Sequence, residues 1–140
     1  MKILLAVDGS TYSKKMLAYM ATHDGMFSAA NAYTVFTAQP ALPARARAAV
    51  GKEVVDNYYA EESEKVIAPV TKFLLRHGLN ATSAWKVGPA GAMIAKLAED
   101  GKFDLVVMGS HGQGAWANLV MGSVATQVMA HCTVPVLMVC

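Results

Sequence analysis

The sequence predicts an α/β fold: one open, doubly wound domain spanning residues 1–140, with five parallel strands and helices on both faces of the sheet. Three observations carry this expectation. Short apolar runs alternate along the chain with segments whose apolar positions recur every three or four residues, the order of repeated β-α units. The runs are continuously apolar instead of alternating with polar residues, as strands covered on both faces are. Composition agrees, because a chain with 54% hydrophobic and 16% charged residues is neither a disordered tail nor a charge-driven scaffold. At this length one domain buries about 68–70% of the surface its unfolded chain exposes. Strands joined through helices then pack by right-handed crossovers onto one sheet.

The first strand is Lys2–Val7, closed by Asp8-Gly9-Ser10. Ser10 caps a helix to about Thr22, with Met16, Leu17 and Met20 at core-facing spacing and Gly25 beyond its end. Ala32–Thr37 is the second strand. Gln39–Ala49, with two prolines and two arginines, reads as the one irregular loop. From about Ala46 to Arg76 the apolar residues Val50, Val54, Tyr58, Val66, Val70, Phe73 and Leu74 recur at three and four, a long amphipathic helix. Pro69 falls inside it and should kink or split it, and Gly78 ends it. The run Thr82–Val87 is weaker and more polar, as an edge strand is. A helix opens at Pro89, a residue favoured in a first turn, and passes Ile94 and Leu97 to stop near Gly101. Leu105–Met108 is the fourth strand, Gly122-Ser123 opens a helix to about His131, and Val134–Val139 is the last strand.

Several function classes fall away on composition. A net charge of +2 has no polycation signature, so a nucleic-acid partner is not expected. No run approaches the roughly 18 apolar residues of a membrane span, and the opening Met1–Val7 is too short for a signal-peptide core. Cys132 and Cys140 make no disulfide framework and lack C-x-x-C spacing, so they read as a small buried hydrophobe and a terminal thiol. The expected address is the cytoplasm. His23, His77 and His131 stand at predicted helix ends, where histidine caps and complements the dipole. Most of the nine methionines fall at core positions, where they fill gaps. The lysines and acids of residues 52–65 form a solvated helix face.

The unusual residues cluster where strands end, which is where an open α/β sheet binds ligands. Asp8-Gly9-Ser10 follows the first strand. Gly109-Ser110-His111-Gly112 follows the fourth, and nine residues later Gly122-Ser123 begins a helix. Glycines let backbone N–H groups approach an anion closely, and the helix start adds unpaired donors and the positive end of its dipole. The Ser123 hydroxyl could donate as well, or cap the helix. His111, inside the glycine turn, serves either ligand contact or loop packing. No G-x-x-x-x-G-K-[ST] occurs, so P-loop chemistry lacks its lysine. Gly112-x-Gly114-x-x-Ala117 fits a dinucleotide pattern formally, but it follows the fourth strand and no acidic residue lies downstream to hold a ribose.

Gly109-x-x-Gly112, a nine-residue spacer and Gly122-Ser123 match the G-x-x-G-x9-G-[ST] motif, and through it the chain resembles the ATP-binding subgroup of the universal stress proteins. The similarity continues in order along the chain: Ile3–Ser10, Val87-Gly88-Pro89-Ala90, Asp104–Gly109, Gly122-Ser123-Val124-Ala125 and Val134-Pro135-Val136-Leu137. The resemblance implies a Rossmann-like sheet of order 3-2-1-4-5 and a homodimer pairing last strands, here Val134, Val136, Leu137, Met138 and Val139. It also implies ATP, with Mg²⁺ accompanying the nucleotide. Ala6, Val7 and Asp8 would border adenine and sugar, Asp8 on the ribose or metal side, with Phe36 against adenine. Met108, Gly109, His111, Gly112 and Gln113, with Gly122, Ser123 and Val124, would complete the nucleotide site around the phosphates. The chain departs from the family in one respect. Members often carry Lys or Arg in the spacer, whereas Gln113–Met121 has neither, leaving a triphosphate to backbone donors, the dipole and Mg²⁺. Trp116 in that spacer covers the nucleotide, packs under the loop or meets a partner.

Two functional classes follow. One is a nucleotide-binding stress regulator without catalytic residues, hydrolysing ATP slowly at most, whose ligand sets its dimer or protein-partner state. The other is a nucleotide-free relative acting as a dimeric interaction module, in which the same glycines make only a tight loop.

Overall fold

A computed structural model describes residues 1–111 and 121–140. The elements run β1 (Lys2–Ala6), α1 (Thr11–Thr22), β2 (Ala32–Gln39), α2 (Ala44–Val50), α3 (Lys52–Arg76), β3 (Ala81–Val87), α4 (Ala90–Asp100), β4 (Leu105–Gly109), α5 (Ser123–His131) and β5 (Val136–Val139). The strands form one parallel sheet ordered β3-β2-β1-β4-β5. The expected 3-2-1-4-5 order is therefore present, with the polar β3 at one edge.

Both faces of the central strands are covered, which explains their unbroken apolarity. Ile3 and Leu5 of β1, Val35 of β2 and Val107 of β4 meet Met16 and Met20 of α1 and Ile67, Val70 and Leu74 of α3. The intervening Leu4, Phe36, Val106 and Met108 face the other way, onto Ile94 and Ala98 of α4 and Ala125 and Val128 of α5. Successive strand residues point to opposite faces, so with a helix pair on each side both alternations are buried, and the one charge in β1, Lys2, stands at its exposed start.

The long helix expected over 46–76 differs from the structure in where it divides. It is split at Gly51, whose φ of +86° and ψ of 163° lie in a region essentially reserved for glycine. The loop expected over 39–49 is correspondingly shorter, since α2 takes residues 44–50. Pro69 does not divide α3, which continues through it from Lys52 to Arg76. Pro69 and Lys65 are both on the exposed side, where water satisfies the carbonyl that loses its helical donor. Three histidines do stand at helix ends. His23 and His77 occupy C-cap positions, each with Nδ1 at 2.8–2.9 Å from the carbonyl of Tyr19 or Phe73, and His131 closes α5. No helix of the described residues is long and apolar enough to cross a membrane.

Candidate functional site

At the carboxyl ends of β1 and β4 the sheet reverses its winding, because β1 pairs β2 on one side and β4 on the other. A cleft of about 470 Å³, open mouth included, lies there. β1 and the turn after it supply Ala6, Val7 and Asp8, β2 supplies Phe36 and Ala38, and β4 with its turn supplies Met108, Gly109 and His111. The helices on one face close it with Ala90 and Ile94 from α4 and Val124 and Ala125 from α5, and Ser13 reaches in from α1. The described wall is mainly apolar, with one carboxylate and one imidazole and no Lys or Arg.

Local chemistry fixes the polar side. The Asp8 carboxylate accepts from the Ser10 N–H and the Ser13 hydroxyl, both at 2.9 Å, while the Asp8 N–H donates to Ser13 Oγ at 3.1 Å. Ser10 Oγ in turn accepts from the Ser13 N–H at 3.4 Å as the N-cap of α1. The strand thus turns into the helix through a small side-chain network that aims Asp8 along the cleft wall. On the other wall Ser110 is buried and joins three elements. Its N–H donates to Val139 O at 2.9 Å, and its carbonyl accepts from Gly122 N–H at 2.7 Å. Its hydroxyl lies 2.8 Å from His111 Nδ1. The His111 ring also packs on Tyr12, with centroids 4.7 Å apart.

Of the residues expected at a nucleotide site, Ala6, Val7, Asp8, Phe36, Met108, Gly109, His111 and Val124 line this one cleft. Gly122 is the buried N-cap of α5 and Ser123 its exposed first residue, so the cap is a glycine and the Ser123 side chain does not fill that role. Gly122 is tied to the β4 turn through Ser110. Gly112, Gln113 and the spacer through Val120, Trp116 among them, lie outside the described residues. Sequence reasoning missed Ser13, Ala38, Ala90, Ile94 and Ala125. The available signal was size: Ala38, Ala90 and Ala125 fall on three elements where a larger residue would fill the space. Among the described residues no group of three or more His, Cys, Asp or Glu could hold a metal ion.

A family model for the universal stress proteins matches residues 1–139. The chain belongs to the universal stress protein family. Universal stress protein MJ0531 of Methanocaldococcus jannaschii is 26% identical to it over 138 residues, 99% of this chain and 81% of that protein. Among solved structures, protein MJ0577 of the same organism superposes with a TM-score of 0.82 at 25% identity, covering 99% of this chain and 94% of the other. The universal stress protein of Archaeoglobus fulgidus in complex with dAMP has a TM-score of 0.70 at 18% identity, with 99% and 96% covered. A universal stress family protein of Arabidopsis thaliana with AMP bound has a TM-score of 0.69 at 13% identity, with 99% and 90% covered. The last two share the fold with this universal stress protein.

Proposed function

We propose that this universal stress protein is an adenine-nucleotide-binding stress regulator, taking ATP among its ligands, that acts in the cytoplasm as a homodimer paired through β5. The observation that carries the reading is the convergence of Ala6, Val7, Asp8, Phe36, Met108, Gly109, His111 and Val124 on one cleft at the β1/β4 reversal. Phe36 and Met108 offer an apolar seat for a base, and Asp8 is a hydroxyl acceptor for the ribose. The Gly109–Ser123 segment, with the α5 start, is assigned to the phosphates. The dAMP and AMP carried by structural neighbours support this choice of ligand. Mg²⁺ would arrive with the nucleotide, with Asp8 the one described carboxylate of the wall on its side.

The reading includes no enzymatic activity beyond slow hydrolysis. A general base must reach the proton it abstracts, and Asp8, the carboxylate in the described wall, already accepts from Ser10 and Ser13. Calorimetric titration with ATP and Mg²⁺ tests the proposal against a Gly122→Lys variant checked for folding by circular dichroism. Saturable micromolar binding that the variant loses supports it. A folded wild-type protein that gives no heat up to millimolar ATP removes it. The second reading, a nucleotide-free interaction module, is favoured by one observation, the spacer without Lys or Arg, and that second result would leave it standing.

A further inference from the structure

We propose that the outward face of α3 docks a second copy of this chain, α3 against α3 and antiparallel, at a contact separate from the β5 pairing and independent of any nucleotide. Tyr58, Glu61, Lys65, Ala68, Lys72 and Leu75 recur along the helix at alternating steps of three and four, the spacing of a coiled-coil seam. The row spans about 26 Å at 1.5 Å per residue. It lies opposite the core-facing row that runs from Val55 to Leu74. Its apolar members are open to solvent, Tyr58 at 43% and Leu75 at 62% exposure.

Charge complementarity names the occupant. From Lys52 to Glu64 the helix carries Glu53, Asp56, Glu61, Glu62 and Glu64 against Lys52 alone, and from Lys65 to Arg76 it carries Lys65, Lys72 and Arg76 with no acid. The helix dipole favours that order only within the terminal turns, and Glu61, Glu62 and Glu64 lie beyond the first. Two copies related by a two-fold axis lay each acidic half on the other's basic half, whereas a parallel pair sets like charges together. With the axis between Val66 and Ile67, Tyr58 of one copy meets Leu75 of the other, Glu61 meets Lys72 and Lys65 meets Ala68, each layer occurring twice. Among the described residues the Glu61 and Lys72 side chains make no hydrogen bond or ion pair, so neither has an internal partner to give up. Lys65, beside the axis, is already paired with Glu62 at 3.2 Å, and Ala68 is small enough to let the helices close there. A hollow of about 1020 Å³, open mouth included, runs along Ala68, Pro69, Lys72, Leu75 and Arg76. It receives the Tyr58 ring of the second copy between two cations. One such seam is smaller than a standard interface, so the contact is weaker than the β5 pairing and acts at higher concentration. α3 covers β2 and β3 while β5 is the opposite edge, so one copy can hold both contacts at once.

Sedimentation from micromolar to near-millimolar protein, at low and high salt, tests this on the wild type, Glu61→Lys and Lys72→Glu, each checked for folding by circular dichroism. The wild type is expected to associate beyond its micromolar state, and less so at high salt. Each variant sets like charges against each other in both symmetric layers and is expected to associate about tenfold more weakly. An equimolar mixture of the two variants restores opposite charges in both layers and is expected to regain the wild-type association. Only an antiparallel α3 pair gives that rescue. β5 holds no charged residue, so neither variant alters its pairing, and failure of the β5 dimer shows separately as a wild-type monomer at micromolar concentration. The proposal is overturned by a wild type that keeps its micromolar state at near-millimolar concentration and low salt. Variants that associate like the wild type, or a mixture no stronger than its components, overturn it equally.

Discussion

Gly109 ends β4 directly beneath the first turn of α1. A Cβ there would lie 2.6 Å from Tyr12 Cβ and 3.0 Å from its backbone carbonyl carbon, so backbone would have to move. Gly109→Ala is expected to cost about 1–3 kcal/mol, the usual penalty of overpacking, read as a lower urea midpoint at unchanged slope. The glycine was visible in the sequence as part of a motif, but its reason was not: Tyr12 lies about a hundred residues away in the chain and meets it only through the sheet. Phe36 is the reverse case. It was expected at the site and is nearly fully buried, so it serves the core as well as the cleft. Phe36→Ala is expected to cost about 3–5 kcal/mol in the same measurement. Any loss of ligand affinity in that variant must therefore be read at a temperature where it is folded.

The elements were legible wherever period and caps agreed. β1, α1 and β4 follow from dense apolar runs and the Ser10 cap, and the edge position of β3 from its polarity. The division of the 44–76 segment was not, because proline advertises a break and a glycine in a helical pattern only permits one. Gly51 holds φ +86° with open space around its Cβ position, so backbone strain alone decides what Gly51→Ala does. The variant is expected to lose about 1–3 kcal/mol. Pro69→Ala has the opposite sign. It restores an N–H in a continuous, solvent-facing stretch of α3, and should stabilise by about 1–2 kcal/mol after the entropy that proline removes from the unfolded chain is deducted. Thermal unfolding of the two variants side by side checks both signs.

At the scale of the molecule, two open edges behave differently. β3 ends the sheet with Thr82, Ser83 and Lys86, and polar or charged edges discourage pairing. β5 ends it with Val136, Leu137, Met138 and Val139, all partly exposed, which is why a second copy is proposed there. Val134 precedes that strand instead of belonging to it. Val106 N–H donates to Pro135 O and Ser110 N–H to Val139 O, both at 2.9 Å. The ladder alternates, so Val136 and Met138 turn their backbone groups to the open side. Met138→Pro removes an outward donor without touching the bonds to β4. It should convert a sedimenting dimer into a folded monomer, and a wild-type monomer at micromolar concentration would end the dimer proposal. Adenine-nucleotide binding in the cleft is tested by amide and methyl NMR of the labelled protein titrated with AMP. Saturable shifts are expected, confined to Ala6, Val7, Phe36, Ile94, Met108 and Val124 with their neighbours. Shifts that saturate on another surface, or none at all at millimolar AMP, would contradict it.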